Sequence, residues 1–166
     1  MDFISSDTSV WIDFKVIDCV SLPFKLPYTY IMFKESMESE ILSPTGFLDE
    51  LVAAGLVGVN ITIEEFLLAD RWGNIYPKLS VPDRIALAIA KQRGIVLLTG
   101  DKALRKAASQ EGVSTLGTLG VLDRLLSGNY ITKDEYLTCI TSLKKHNGYE
   151  VRLPADELDK RLDNDK

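Results

Sequence analysis

Apolar and polar positions alternate along the chain in two distinct rhythms. Short runs rich in β-branched and aromatic residues predict strands at DFISS (2–6), YTYIMF (28–33), GVNITI (58–63), IVLLT (95–99) and VSTLG (113–117). Between them, apolar residues recur at helical spacing. Val10, Trp11, Phe14 and Ile17 predict a helix over 8–19, after which Pro23 and Pro27 punctuate a loop. Further helices are predicted over 34–42, 45–54 and 64–72, and Pro82 opens and Gly94 closes another. Helices follow at 101–112, at 118–127 and at 133–145, the last behind a capping box of Thr132 and Glu135. A short helix follows Pro154, and the terminal DKRLDNDK is expected to fray.

This alternation of strand and helix predicts an α/β chain, a three-layer α/β/α sandwich around a mainly parallel sheet. Ile95, Val96, Leu97 and Leu98 are apolar on both faces, as suits a central strand covered on both sides. Residues 129–166 read as a helical extension packed on the same domain. In such sheets ligands bind beyond the carboxyl ends of the strands, so that edge is where candidate chemistry belongs.

Composition narrows the classes. The 166 residues fit one domain, and 46% hydrophobic with 26% charged is ordinary for a globular protein. No apolar run is long enough to cross a bilayer, and MDFISSD lacks the features of a signal peptide. Cys19 and Cys139 have neither metal-ligand spacing nor a disulfide framework, which makes a reducing cytoplasm the expected compartment. The single histidine, His146, lies in polar KKHNG and reads as a solvated loop residue, which disfavours histidine-based chemistry. A net charge of −5, from 19 basic and 24 acidic residues, speaks at first against a polyanionic partner.

Four carboxylates change that picture. Asp7 ends the first strand in FISSD and Asp101 follows the fourth in LLTGD. Each reads either as a helix cap or as a ligand held at the sheet edge, and one aspartate can do both. Gly100, between strand and aspartate, reads as a tight exit that brings the carboxylate to the edge. Asp83 stands in the first turn of a helix whose residues Ile85 to Ala90 are apolar all round. It is either a partly exposed first-turn acid or a carboxylate that a partner or metal must compensate. At about 100° per residue, Phe33, Met37 and Ile41 cluster near 0°, 40° and 80°, and Glu40 falls near −20°, inside that stripe. Glu35 and Glu38 face the other way, so Glu40 is the glutamate predicted to point inward, with Glu38 as its fallback. Oxygen ligands of this kind suit Mg²⁺ or Mn²⁺, and a pair of such ions activates water and stabilises the leaving oxygen of a phosphodiester. Two divalent ions would add +4 to the net charge of −5, leaving a pocket acceptable to nucleic acid.

The order DTSVWIDF, ESMESEI, SVPDRIALAIAKQRGIVLLTGDKALRKAA and GTLGVLDRLL resembles a PIN domain over about 3–128, most specifically over 81–128. The likeness is nearest to the prokaryotic group that includes the VapC-type toxins. The resemblance implies a PIN-like nuclease domain over 1–128, with 129–166 an extension beyond the compact toxin pattern. It implies a metal-dependent endoribonuclease directed at single strands, either the toxin of a type II toxin–antitoxin pair or another PIN nuclease. Its acidic quartet maps onto Asp7, Glu40, Asp83 and Asp101, and Thr99 matches the small hydroxyl residue before the last aspartate. KESMESEI lacks the proline that often enters that helix, which loosens the register at Glu40. The resemblance further implies an RNA substrate, a homodimer, and an antitoxin protein that blocks the acidic pocket. Lys102, Arg105 and Lys106, just after Asp101, are candidates for holding phosphates or else form a solvated helix face. Lys144 and Lys145 read as plain surface, and helical spacing puts Trp11 and Trp72 in packing rather than in base stacking.

Other aspartate-based folds fit poorly. A haloacid-dehalogenase-type phosphatase needs Asp-x-Asp after its first strand, where Asp7 is followed by Thr8 and Ser9. A phospho-receiver needs an aspartate after its third strand, and VNITIEE has none; P-loop and dinucleotide glycine motifs are absent. The remaining rival is a PIN-like binding module that does not cleave.

Overall fold

The computed structural model describes residues 2–163. Five strands, β1 (Asp2–Ser6), β2 (Tyr28–Phe33), β3 (Val57–Val59), β4 (Val96–Leu98) and β5 (Thr115–Leu116), form one sheet in the order β3-β2-β1-β4-β5. Every neighbouring pair is parallel. The helices are α1 (Thr8–Val16), α2 (Lys34–Glu40), α3 (Phe47–Ala54), α4 (Ile63–Ile75) and α5 (Val81–Arg93). They continue as α6 (Lys102–Gln110), α7 (Thr118–Ser127), α8 (Lys133–His146) and α9 (Ala155–Asp163).

The period of two along each strand sorts side chains into two cores. Ile4, Tyr30, Met32, Leu98 and Leu116 point to a core built with α1, α3, α7 and α8. Ile31 and Leu97 point the other way, to a core built with α4, α5 and α6. The result is the expected α/β/α sandwich. Ile85 to Ala90 are all buried, as their unbroken apolar run requires. Trp11 stacks on Phe24 at 5.1 Å, and Trp72 is likewise buried, so both tryptophans are packing residues.

The C-terminal helices join the first core. Tyr136, Cys139, Ile140, Leu143, Val151 and Leu158 are all buried in it. The expected fraying does not hold as far as Asp163, because Arg161 grips Asp123 with two nitrogens at 2.7 and 3.0 Å and Glu157 at 2.9 Å. Residues 164–166 lie outside the described part. Lys144, expected as plain surface, reaches Asp159 at 2.7 Å and so links α8 to α9. His146 ends α8 rather than lying in a loop and faces Glu150 at 3.4 Å.

One strand is shorter than predicted. The β-branched run NITI leaves the sheet after Val59, because Thr62 and Glu65 form a capping box that turns Ile63 into the first residue of α4. Buried Glu65 also receives Arg93 at 2.8 Å, which fixes the start of α4 against the end of α5. Among the described residues no helix is long and apolar enough to cross a membrane.

Candidate active site

The strand order itself creates a crevice. From β1 the chain builds β2 and β3 on one side, then returns to lay β4 and β5 on the other. The connections therefore diverge between β1 and β4, and the carboxyl ends of two such strands are where an open parallel sheet binds ligands. Ser6 pairs with Leu98 in the register, and Asp7 N–H donates to the Leu98 carbonyl at 2.9 Å. Asp7 leaves β1 and Thr99, Gly100 and Asp101 leave β4 at the same edge.

Asp7 occupies the N-cap position of α1 but makes no side-chain cap bond. Its Oδ2 instead accepts from Ser9 Oγ at 2.8 Å and from Thr99 Oγ1 at 2.9 Å. The cap reading of Asp7 is thereby corrected: one oxygen serves two hydroxyls and neither serves a helix amide. Thr99, fully buried, also accepts from the Asp101 N–H at 3.0 Å, and Ser9 accepts from the Gly100 N–H at 2.9 Å. Two hydroxyls thus lace the exit of β4 to the exit of β1.

Asp101 does cap its helix, accepting from Leu104 N–H at 2.8 Å with Oδ1. Gly100 has no left-handed φ, and an added Cβ would meet Ser9 Oγ and Asp13 Oδ2 only at 3.7 and 3.9 Å. The expected need for glycine at that exit is therefore not met; the turn is set by the Ser9 and Thr99 hydroxyls.

Asp83 is half-buried at the third position of α5, in a capping box with Ser80. Its Oδ2 accepts from Ser80 N–H at 3.0 Å, and its own N–H donates to Ser80 Oγ at 3.2 Å. Burial pushes its carboxyl above the ordinary range, and the negative charges of Asp7 and, more weakly, Asp101 push the same way. That repulsion is the mark of three carboxylates from distant parts of the sequence sharing one field. Next to Asp7 a void of about 10 Å³, the size of one water, is lined by Ser6, Asp7, Ser36 and Pro82 among others.

Glu40 is not buried in the stripe where the helical wheel put it. It is exposed at the last residue of α2. The wheel assumed a helix through Ile41, but Ile41 is the C-cap, with φ −105° and ψ 59°, and reaches the core by a non-helical backbone. The buried residues of α2 are Ser36 and Met37, and Glu40 stands one turn beyond Ser36 on the same side of the helix. Glu38 is exposed as well.

A family model described as a PIN domain matches residues 3–164. The chain belongs to the PIN-domain family. No curated protein and no solved structure matches it at significance. PIN domains are generally nucleases, hence hydrolases that act on RNA or DNA, and they usually use divalent metals.

In this PIN domain the donor chemistry fits such a cation only in part. Each of Asp7, Asp83 and Asp101 commits one oxygen to a hydroxyl or amide and leaves the other without a hydrogen bond among the described residues. The free oxygens and the mutual repulsion at Asp83 are what a hard cation relieves. Yet no three acidic side chains among the described residues stand close enough to form a ready-made metal cluster. The three aspartates are neighbours in one field rather than a closed coordination shell.

The basic residues of α6 divide between two clefts. Lys102, the residue after Asp101, and Lys106, one turn on, join Lys78 and Tyr76 along a cleft of about 630 Å³. Arg105 faces a separate cleft of about 430 Å³, near Gly100, Gly117 and Arg161. Several residues here escaped the sequence reading. Ser9 was visible two positions after Asp7, but only as a mismatch to another family's motif. Ser80 was visible as the partner three residues before Asp83. Asp13, buried beside Ser9 and Gly100, accepts from Thr118 Oγ1 at 2.7 Å, and burial raises its carboxyl to about 6. Its signal was an acid on the apolar face of α1, among Val10, Phe14 and Ile17.

Proposed function

We propose that this PIN domain is a divalent-metal-dependent endoribonuclease hydrolysing phosphodiester bonds in RNA, working in the crevice between β1 and β4. The observation that supports it most is that Asp7 and Asp101 leave the paired strands β1 and β4 at the switch point of the sheet, with Asp83 near enough for their charges to act on it. In this reading Asp7, Asp83 and Asp101 hold Mg²⁺ or Mn²⁺, and Glu40 contributes from the rim. A bound ion of this kind supplies positive charge for the scissile phosphate and lowers the pKa of water. The chain's own residues do the rest. Ser9 and Thr99 hold Asp7 in one orientation, Thr99 ties that orientation to the backbone of Asp101, and Lys78, Lys102 and Lys106 attract the phosphodiester backbone.

A narrower form of the proposal is the toxin of a type II pair, in the cytoplasm, blocked by an antitoxin at the acidic crevice. The likeness of 81–128 to the toxin nucleases supports it. Homodimerisation is part of that reading, and the exposed Ile63, Phe66 and Leu67 on one face of α4 supply apolar surface for it. A neighbouring reading frame encoding a small DNA-binding protein would be its genetic counterpart.

A second reading, RNA binding without cleavage, draws on the lack of a ready-made cluster of three acids among the described residues. Cleavage of single-stranded and structured RNAs with Mn²⁺ separates the two. Product with the wild type, lost in Asp7→Asn and in Asp101→Asn, is expected. Absence of product from the wild type, or full activity in either variant, defeats the nuclease reading.

A further inference from the structure

Cys19 and Cys139 are 120 positions apart, yet their sulfur atoms stand 3.9 Å from each other. Both places are fixed by the fold. Cys19 follows α1 in a helix-ending turn: its N–H donates to the Phe14 carbonyl at 2.8 Å, and Asp18 N–H donates to that of Lys15 at 3.0 Å. Asp18 takes the left-handed φ of +57° that this turn demands, where glycine is the usual occupant. Cys139 lies on the buried face of α8 with Tyr136, Ile140 and Leu143. Cys19 is half-buried and reachable from solvent, whereas Cys139 is buried behind it.

We propose that this pair is an oxidation site: a peroxide converts it to an intramolecular disulfide that ties the end of α1 to α8. The Cys19 thiolate attacks one oxygen of the peroxide and forms a sulfenic acid while the other oxygen leaves as water. The Cys139 sulfur then attacks the Cys19 sulfur, releases a second water, and forms the S–S bond. Two thiols are oxidised by two electrons and one peroxide is reduced. Hydrogen bonding from the Cys139 thiol lowers the Cys19 thiol to about 7, against the opposing effects of burial and of Asp18 and Glu135, and the same bond raises Cys139. The more accessible Cys19 is thus the nucleophile and the buried Cys139 resolves it. Closure from 3.9 Å to the roughly 2.05 Å of a disulfide asks for a small approach of two side chains already in contact.

The site is independent of the nuclease reading, and so is its test. The full chain is treated with equimolar hydrogen peroxide, natively and in urea, then denatured, alkylated and weighed intact. The native protein is expected to lose two hydrogens, to take no alkyl group, and to recover two alkylatable thiols with dithiothreitol. The reaction is expected to be slower in urea, where the fold no longer holds the sulfurs together. The disulfide closes a loop of more than a hundred residues, so oxidation should raise Tm by about 10 °C. With Cys139→Ser, dimedone should trap a sulfenic acid on Cys19; with Cys19→Ser, the buried Cys139 should stay a thiol. Two alkylatable thiols after native oxidation, disulfides only between chains, or a rate in urea equal to the native one would each overturn the proposal.

Discussion

Replacing Asp13 with Asn should stabilise this protein above neutral pH. Asp13 is 8% exposed in the first core, where its Oδ2 accepts from Thr118 Oγ1 at 2.7 Å. Burial raises its pKa from 3.8 to about 6, and the Thr118 bond offsets only part of that. A folded pKa above the unfolded one means that stability from this group is fully present below about pH 4 and is lost as pH rises through about 6. A shift of about two units at about 1.4 kcal/mol each puts the cost of the charged form near 3 kcal/mol at pH 8. Asparagine keeps an acceptor for Thr118 and removes the charge. Urea melts at pH 8 should therefore place Asp13→Asn above the wild type by up to about 3 kcal/mol, with the gap closing towards pH 4. A variant less stable at pH 8, or an offset that ignores pH, would refute the reasoning. Nuclease activity should fall in the same variant, since a charge kept at such cost beside Ser9 and Gly100 is expected to serve the site.

Other outcomes test the crevice from different sides. Mn²⁺ at about a hundred times its Kd should raise stability by about 3 kcal/mol in thermal melts, and by much less in Asp7→Asn, if the carboxylates bind it. Thr99→Val keeps the side-chain shape but removes the donor to Asp7 and the acceptor for Asp101 N–H; a loss of about 1–3 kcal/mol in urea melts and a fall in kcat are expected. Lys102→Ala with Lys106→Ala should raise KM and flatten its dependence on salt, read in cleavage assays at two ionic strengths, whereas Glu64→Ala on α4, away from this cleft, should do neither.

The sandwich was legible because its two rhythms are strong. Ile85 to Ala90 announce a helix buried on all sides, and the strand edges carry β-branched and aromatic residues that pack on both faces. Ends were less legible. At 58–63 the β-branched Ile61, Thr62 and Ile63 read as strand, yet Thr62 and Glu65 satisfy helix amides and win the segment for α4. At 34–41 the wheel gave the side of the helix but not its end: Glu40 shares the side of buried Ser36 and Met37, yet as the last residue of α2 it stands exposed. Apposition across the fold left no local mark at all: Cys19 meets Cys139 and Arg161 meets Asp123 only because α8 and α9 fold back over the first core.

The candidate site was legible as a set of residue types but not as a scaffold, and the scaffold says how its test must be read. Each aspartate is held by a device that needs no metal: hydroxyls at Asp7, a capping box at Asp83, a helix N-terminus at Asp101. Asparagine caps a helix about as well as aspartate, so Asp101→Asn should keep the start of α6 while removing one charge from the crevice. At Asp83 the change removes a charge that Asp7 and Asp101 repel, which should stabilise the fold rather than weaken it. Activity lost in both variants at undiminished Tm would then report charge alone. Activity lost only together with Tm would mean that these aspartates serve the helix starts, and the crevice would be a structural feature of the sheet edge.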